Sequence, residues 1–246
     1  MPNGQNHETL TLFRALHRGF CDLTLSPALR PHLVDAMVDQ AFESFDVLAE
    51  TLESDVSGLA CRGGCASCCT IRVTATAPEV LRIARHLRSP SEAAKPGLMT
   101  RITAACLATQ GLDEAQRMRL GARCPFVENG LCAIYALRPL ACRGHASFSE
   151  RACIEALAGL ATDVPISAAH MTARSLVQNA MQSALRDGGF AWATYELNHA
   201  LSIALREPGC ENSWLAGADV FAPAMVSDVS LEEMAQTFDA IKALPA

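Results

Sequence analysis

Cys61-Arg62-Gly63-Gly64-Cys65-Ala66-Ser67-Cys68-Cys69 places four thiols within nine residues, two of them adjacent. A second group follows about fifty-five residues later, in Cys124-Pro125-Phe126, Gly130-Leu131-Cys132 and Arg138-Pro139-Leu140-Ala141-Cys142-Arg143. Seven of the eleven cysteines thus fall in two short segments punctuated by glycine and proline. Thiolate is the ligand form of cysteine, and soft sulfur selects zinc, copper(I) and iron–sulfur clusters. The two segments read as the halves of one metal site. The fold they imply is mainly α, with an irregular cysteine-rich core packed among helices.

The spacing carries the chemistry. Cys65 and Cys68 have the two-residue gap that sets both sulfurs on one side of a turn, and Gly63-Gly64 lets the backbone fold tightly between Cys61 and Cys65. Side chains of neighbours such as Cys68 and Cys69 diverge, which favours a polynuclear centre or two ions over one mononuclear tetrahedral site. Pro125 after Cys124 fixes the chain and removes a donor, as in the cysteine run of bacterial ferredoxins. The expected ligands are Cys61, Cys65, Cys68, Cys69, Cys124, Cys132 and Cys142. His145, three residues past Cys142, is either an eighth ligand or a neighbour of the site. Eight ligands would fill two four-coordinate zinc sites. Seven thiolates with two zinc ions would still leave three negative charges, and Arg62, Arg72, Arg123, Arg138 and Arg143 flank the cysteines as candidate counter-charges or as holders of an anionic substrate.

These residues resemble the YkgJ-type cysteine-cluster family, also called CxxCxxCC and described as a zinc- or iron-chelating domain. The resemblance rests on Cys61-x3-Cys65-x2-Cys68-Cys69, Cys124-Pro125-Phe126, Gly130-x-Cys132-x-Ile134-Tyr135, Arg138-Pro139 and Cys142-Arg143, and spans roughly 57–145. The first gap is three residues where the family name has two. The resemblance implies a bound metal, often an iron–sulfur cluster. Through the related domain of flagellin lysine N-methylases it also raises methyl transfer from S-adenosylmethionine, although no glycine-rich cofactor loop follows a strand here.

Composition narrows the classes. In 246 residues, half are apolar, enough for a core without disulfides. A net charge of −6 with 5% aromatics offers no general surface for nucleic acid. No run of about 18 uncharged apolar residues predicts a membrane span, and polar Met1 to Glu8 has no secretory core behind it. A cytoplasmic location is expected, where clustered thiols stay reduced and act as ligands.

Periodicity predicts one helical domain over 1–246, with the cysteine core at about 57–145. Leu10, Phe13, Leu16 and His17 share a helical face that Gly19 ends. Ser26-Pro27 starts a second helix, delayed by Pro31, which runs through Leu33, Met37, Ala41, Phe45, Leu48 and Leu52 to Glu53, with His32 on the surface and Asp35, Asp39, Glu43 and Asp46 on a solvated face. An extended piece over 71–76 leads to Thr76, an N-cap with Pro78 and Glu79 in the first turn. Further helices are expected at 92–109 (with a break at Pro96-Gly97), 149–160, from 165 to Gly188-Gly189, at 190–206 and after Ser230, with 209–229 irregular. Cys106 and Cys153 read as core thiols. Cys210 reads as a lone thiol whose change to serine alters neither metal content nor stability. Trp192 and Tyr195, near His199, read as packing groups.

Three functions remain in view. One is an iron–sulfur protein with a redox or enzymatic role. Another is a structural zinc protein whose helical flanks bind a protein or small-molecule partner, and which chelation would melt. The last is a protein-lysine N-methyltransferase.

Overall fold

A computed structural model describes residues 2–52, 58–93, 97–160 and 163–244. The fold is mainly α, as the periodicity predicts, with only two small two-stranded sheets among the described residues. The frame is three long helices: α1 (Pro2–Leu25), α2 (Leu33–Leu52) and α9 (Ala168–Asp187). Both α1 and α2 pack along α9. Small buried residues at Ala169, Ala173, Ala180 and Ala184 let the neighbouring backbones approach, and Phe13, Phe20, Met37 and Phe45 fill the space between. No described helix is long and apolar enough to cross a membrane.

Two boundaries move. Gly19 lies inside α1, not at its end. A lone glycine costs about 1 kcal/mol against alanine, which the packing on α9 outweighs. A Cβ there would sit 2.7 Å from Gln40 Nε2, the far end of a flexible side chain on α2, which would swing aside. Pro27–His32 forms a 3-10 turn, so α2 begins at Leu33. The expected end of that helix at Glu53, and Pro96, fall outside the described residues.

Between α2 and α9 lie β1 (Thr74–Thr76), α3 (Ala77–Leu87), α4 (Pro90–Ala93), α5 (Leu98–Thr109), α6 (Glu114–Leu120), β2 (Val127–Glu128), β3 (Leu131–Cys132), α7 (Leu140–Gly144) and α8 (Glu150–Leu157). After α9 come β4 (Thr194–Glu196), α10 (Leu197–Arg206), α11 (Cys210–Leu215) and α12 (Leu231–Ala243). The helix expected over 190–206 begins only at Leu197, because Thr194, Tyr195 and Glu196 pair antiparallel with Thr76, Ala75 and Thr74. The stretch 209–229 is less irregular than expected: α11 buries Trp214 completely.

The acids of α2 are not simply solvated. Asp35 pairs with Arg82 and Arg85 of α3, and Asp46 lies 3.4 Å from Arg143. Asp35 thus ties α2 to α3, and Asp46 ties it to α7, which carries Cys142.

Glu79 joins two elements. It is 1% exposed. One carboxylate oxygen accepts from the Thr76 backbone N–H at 2.7 Å and pairs with its hydroxyl at 2.8 Å, closing a capping box on α3. The other accepts from the Leu140 N–H at 2.7 Å, capping α7. We expect Glu79→Ala to cost about 1–3 kcal/mol for each N–H left unpaired, as read by chemical denaturation; an unchanged midpoint would refute the assignment. Burial pushes this carboxyl above its ordinary value of 4.5, against the pull of its donors. Its contribution is therefore complete below pH 4.5 and is lost as pH rises through the folded-state value. Stability of Glu79→Gln should fall less steeply over that range than that of the unsubstituted chain.

Candidate metal centre

The first cysteine segment is a pair of tight turns. The Cys65 N–H donates to the Arg62 carbonyl at 3.0 Å, with Gly64 at φ +95°, a conformation that favours glycine. The Cys69 N–H then donates to the Ala66 carbonyl at 3.1 Å, and the chain leaves through Ile71 toward β1. The second segment is fastened to the first by its backbone, with the Cys124 N–H donating to the Cys69 carbonyl at 2.6 Å. Phe126, fully buried, anchors it in the core. Asn129 (φ 51°) and Gly130 (φ 80°) make the two-residue turn between β2 and β3 that brings Cys132 back opposite Val127. Cys142, in a segment that reads as irregular, lies in α7, started by Pro139 and capped by Glu79. The Ser147 N–H closes the ring, donating to Cys61 Sγ at 3.2 Å.

All seven predicted cysteines line one chamber of about 300 Å³. Cys142 lies within electrostatic reach of Cys68, Cys124 and Cys132, which makes an inner group. Cys61 is exposed at the mouth, within reach of Cys65, Cys68 and Cys153. Burial pushes the Cys124 thiol up to about 11 and raises Cys142, Cys132 and Cys61 as well. Cys68 is raised first by its hydrogen bond with the Cys69 thiol and then by burial. Arg138 opposes this at Cys68, Cys132 and Cys142, and its guanidinium stacks 3.7 Å over the Tyr135 ring.

The other arginines divide. Arg62 pairs with Glu150, Arg72 with Asp228 and Glu114, and Arg143 with Asp46, so each lines the chamber already matched to a carboxylate. Arg123 is exposed. Arg138 is thus the counter-charge aimed at the thiols. His145 lines the chamber, its imidazole held neutral by burial and by Arg174. Cys106 is buried, whereas Cys153 is half-exposed on α8, beside exposed Ile154 and Leu157. The core reading of Cys153 is therefore corrected: α8 buries none of its residues. Cys210 is 4% exposed in the apolar core, away from the chamber.

The sequence reading missed two groups at this site. His170, in the first turn of α9, lines the chamber with its ring edge-on to Phe45. Arg117 is 3% exposed, 4.0 Å from Glu196, and exerts its charge on Cys124. Asp113-x-x-Gln116, a capping box, marked the helix that carries Arg117; nothing local marked His170. Elsewhere, His17, Cys21 and Asp187 place three ligand-type atoms within 4.8 Å of one another. There Asp187 already holds the Lys242 ammonium at 2.9 Å, so the cluster is an ion-pair network. Among the described residues no three chamber sulfurs approach that closely.

Residues 60–158 match the CxxCxxCC family, described as a putative zinc- or iron-chelating domain. This agrees with the resemblance carried by the cysteine spacing and supports metal binding by that segment. No curated protein and no solved structure matches the chain.

Cys68→Ser should remove bound metal and lower stability together. Cys210→Ser should keep the metal but cost about 1–3 kcal/mol by burying a hydroxyl in the core, which corrects the expectation that it changes neither; metal analysis and thermal melts separate the two. The raised thiols also imply that the metal-free chain holds its protons at neutral pH. Zinc titrated into it should release about one proton per ligating cysteine, countable by calorimetry in buffers of different ionisation enthalpy, with affinity rising as pH rises.

Proposed function

We propose that the chamber holds an iron–sulfur cluster through Cys68, Cys124, Cys132 and Cys142, with Cys61, Cys65 and Cys69 toward its mouth, and that the protein serves electron transfer or a redox reaction. One observation carries the reading: seven cysteines face one chamber, yet among the described residues no three of their sulfurs lie within 4.8 Å of one another. A tetrahedral zinc–thiolate site with bonds of about 2.3 Å sets its sulfurs about 3.8 Å apart. An iron–sulfur core brings its own sulfide and bridges thiolates held further apart. The inner sulfurs are also the shielded ones, and burial with hydrogen bonding to sulfur is how a protein tunes the potential of such a centre.

The chain's own groups have defined parts in this reading. Glu79 fixes the helix that bears Cys142. Arg138 offsets thiolate charge without occupying a ligand position. Phe126 and Ile134, buried at 0% and 3%, keep water from the inner wall. When bound, the cluster would supply one-electron chemistry.

Anaerobic purification with metal and sulfide analysis tests the reading. Iron with acid-labile sulfide and a broad absorption near about 400 nm, the region expected of thiolate-held clusters, is the expected result. It should be lost in Cys142→Ser and retained in Cys61→Ser. Colourless protein with zinc alone would overturn it in favour of a structural zinc site whose helical flanks meet a partner.

A further inference from the structure

A second cavity, of about 620 Å³, lies beside the chamber. The two share Cys68, Ile71, Arg72 and His145 along one wall. Its size falls within the range of about 300–1,000 Å³ typical of small-molecule sites. Helix α9 contributes Arg174, Gln178 and Gln182 to the lining. Their spacing of i, i+4 and i+8 makes one polar stripe about 12 Å long, at 1.5 Å per residue. Much of the remaining lining is apolar, including Leu157, Val164, Ile166, Val229 and Met234.

One end of the stripe carries a half-buried charge and the other a buried amide oxygen without a partner. Arg174 makes no hydrogen bond or ion pair among the described residues. The cleft's acids do not serve it, because Glu114 and Asp228 both turn to Arg72. Glu79 is within electrostatic reach of Arg174, but its oxygens are taken by Thr76 and Leu140. The stem of Arg174 is fixed against Gly144, where a Cβ would lie 2.6 Å from the arginine's own Cβ. At the other end, Gln182 is 1% exposed. Its amide N–H donates to the Trp192 carbonyl at 2.9 Å, which fixes the orientation of the amide, and its Oε1 has no partner. Buried polar groups without partners are uncommon, and a ligand is one of the things that satisfies them.

We propose that this cleft binds a small elongated carboxylate with an apolar body and a hydrogen-bond donor at its far end. The carboxylate sits on the Arg174 guanidinium, whose fork matches its two oxygens. The donor meets Gln182 Oε1, and the body lies along the apolar wall. With Arg72 matched to Glu114 and Asp228, the one arginine left for a ligand, beside His145, suits one carboxylate better than a phosphate dianion. The wall shared with the chamber brings the acid end, near His145 and Cys68, closest to the metal centre. Binding itself does not depend on which metal the chamber holds.

The test is calorimetric titration of the full, metal-loaded chain with ω-hydroxydecanoate, decanoate and the corresponding α,ω-diol. The hydroxy acid should saturate one site, with the diol at least about tenfold weaker, the scale of one charge-assisted hydrogen bond. Arg174→Gln, which keeps part of the stem on Gly144, should erase the preference for acid over diol. Gln182→Leu should erase the preference for the hydroxy acid over decanoate. Equal affinity for acid and diol in the unsubstituted chain would overturn the proposal, as would failure to saturate. Because that comparison uses no variant, it stands even where a substitution disturbs folding.

Discussion

The site depends on one buried carboxylate. Glu79 sits at the third position of α3 and holds the first N–H groups of two helices, its own and α7. Without it, α7 would begin with unmet donors inside the protein. Pro139 could still start the turn, and packing on α9 and β1 would remain, but the direct tie from α3 to the first N–H of α7 would be lost. Cys142, the most enclosed thiol of the inner group, takes its place from this bond, and Arg138 just upstream takes its aim from the same segment. The electrostatic cost of burying Glu79 is thus tied to the placement of sulfur.

Around that joint, backbone bonds bring the distant segments together. Cys124 is tied to Cys69, Ala60 to Ser147, and β1 to β4. None of these three ties uses a thiol, so main-chain pairing does most of the shaping, and the Ser147 N–H bond to Cys61 Sγ adds to it. Asp46 takes Arg143, Glu150 takes Arg62, and Glu114 with Asp228 take Arg72, which leaves Arg138, with buried Arg117, to the thiols. This division keeps a seven-thiol chamber within a lattice of matched charges rather than beside a general basic surface.

The cysteine segments, the long helices and most caps were legible because each is encoded by nearest neighbours: thiol spacing, periodicity in Leu33 to Leu52, and Ser, Thr or Asp before a helix. Asn129-Gly130 is a hairpin signal of the same local kind, but the strands it joins are only two residues long and leave no alternation to read. What could not be read was set by distance in sequence. Tyr195 becomes a strand residue only because Ala75 is opposite. Gly19 stays helical because α2 and α9 hold it. Cys153 resembles a core thiol by its neighbours Ile154 and Leu157, yet α8 lies over the edge of a cleft. His170 reaches the chamber only because α9 crosses it, and the acids of α2 find arginines that the linear pattern leaves far away.

The crossing of α9 over Gly144 has a consequence in time. Every cysteine of the chamber lies before residue 143, whereas the helix that brings His170 and Arg174 over the site starts at Ala168. On the ribosome the seven thiols emerge first, and α9, with the β4 strand that locks β1, follows. Until α9 docks, the thiols face solvent. The order of synthesis therefore leaves an interval in which the whole nascent site is open to metal and equally open to oxidants, and docking of the later helix narrows that access to the mouth at Cys61.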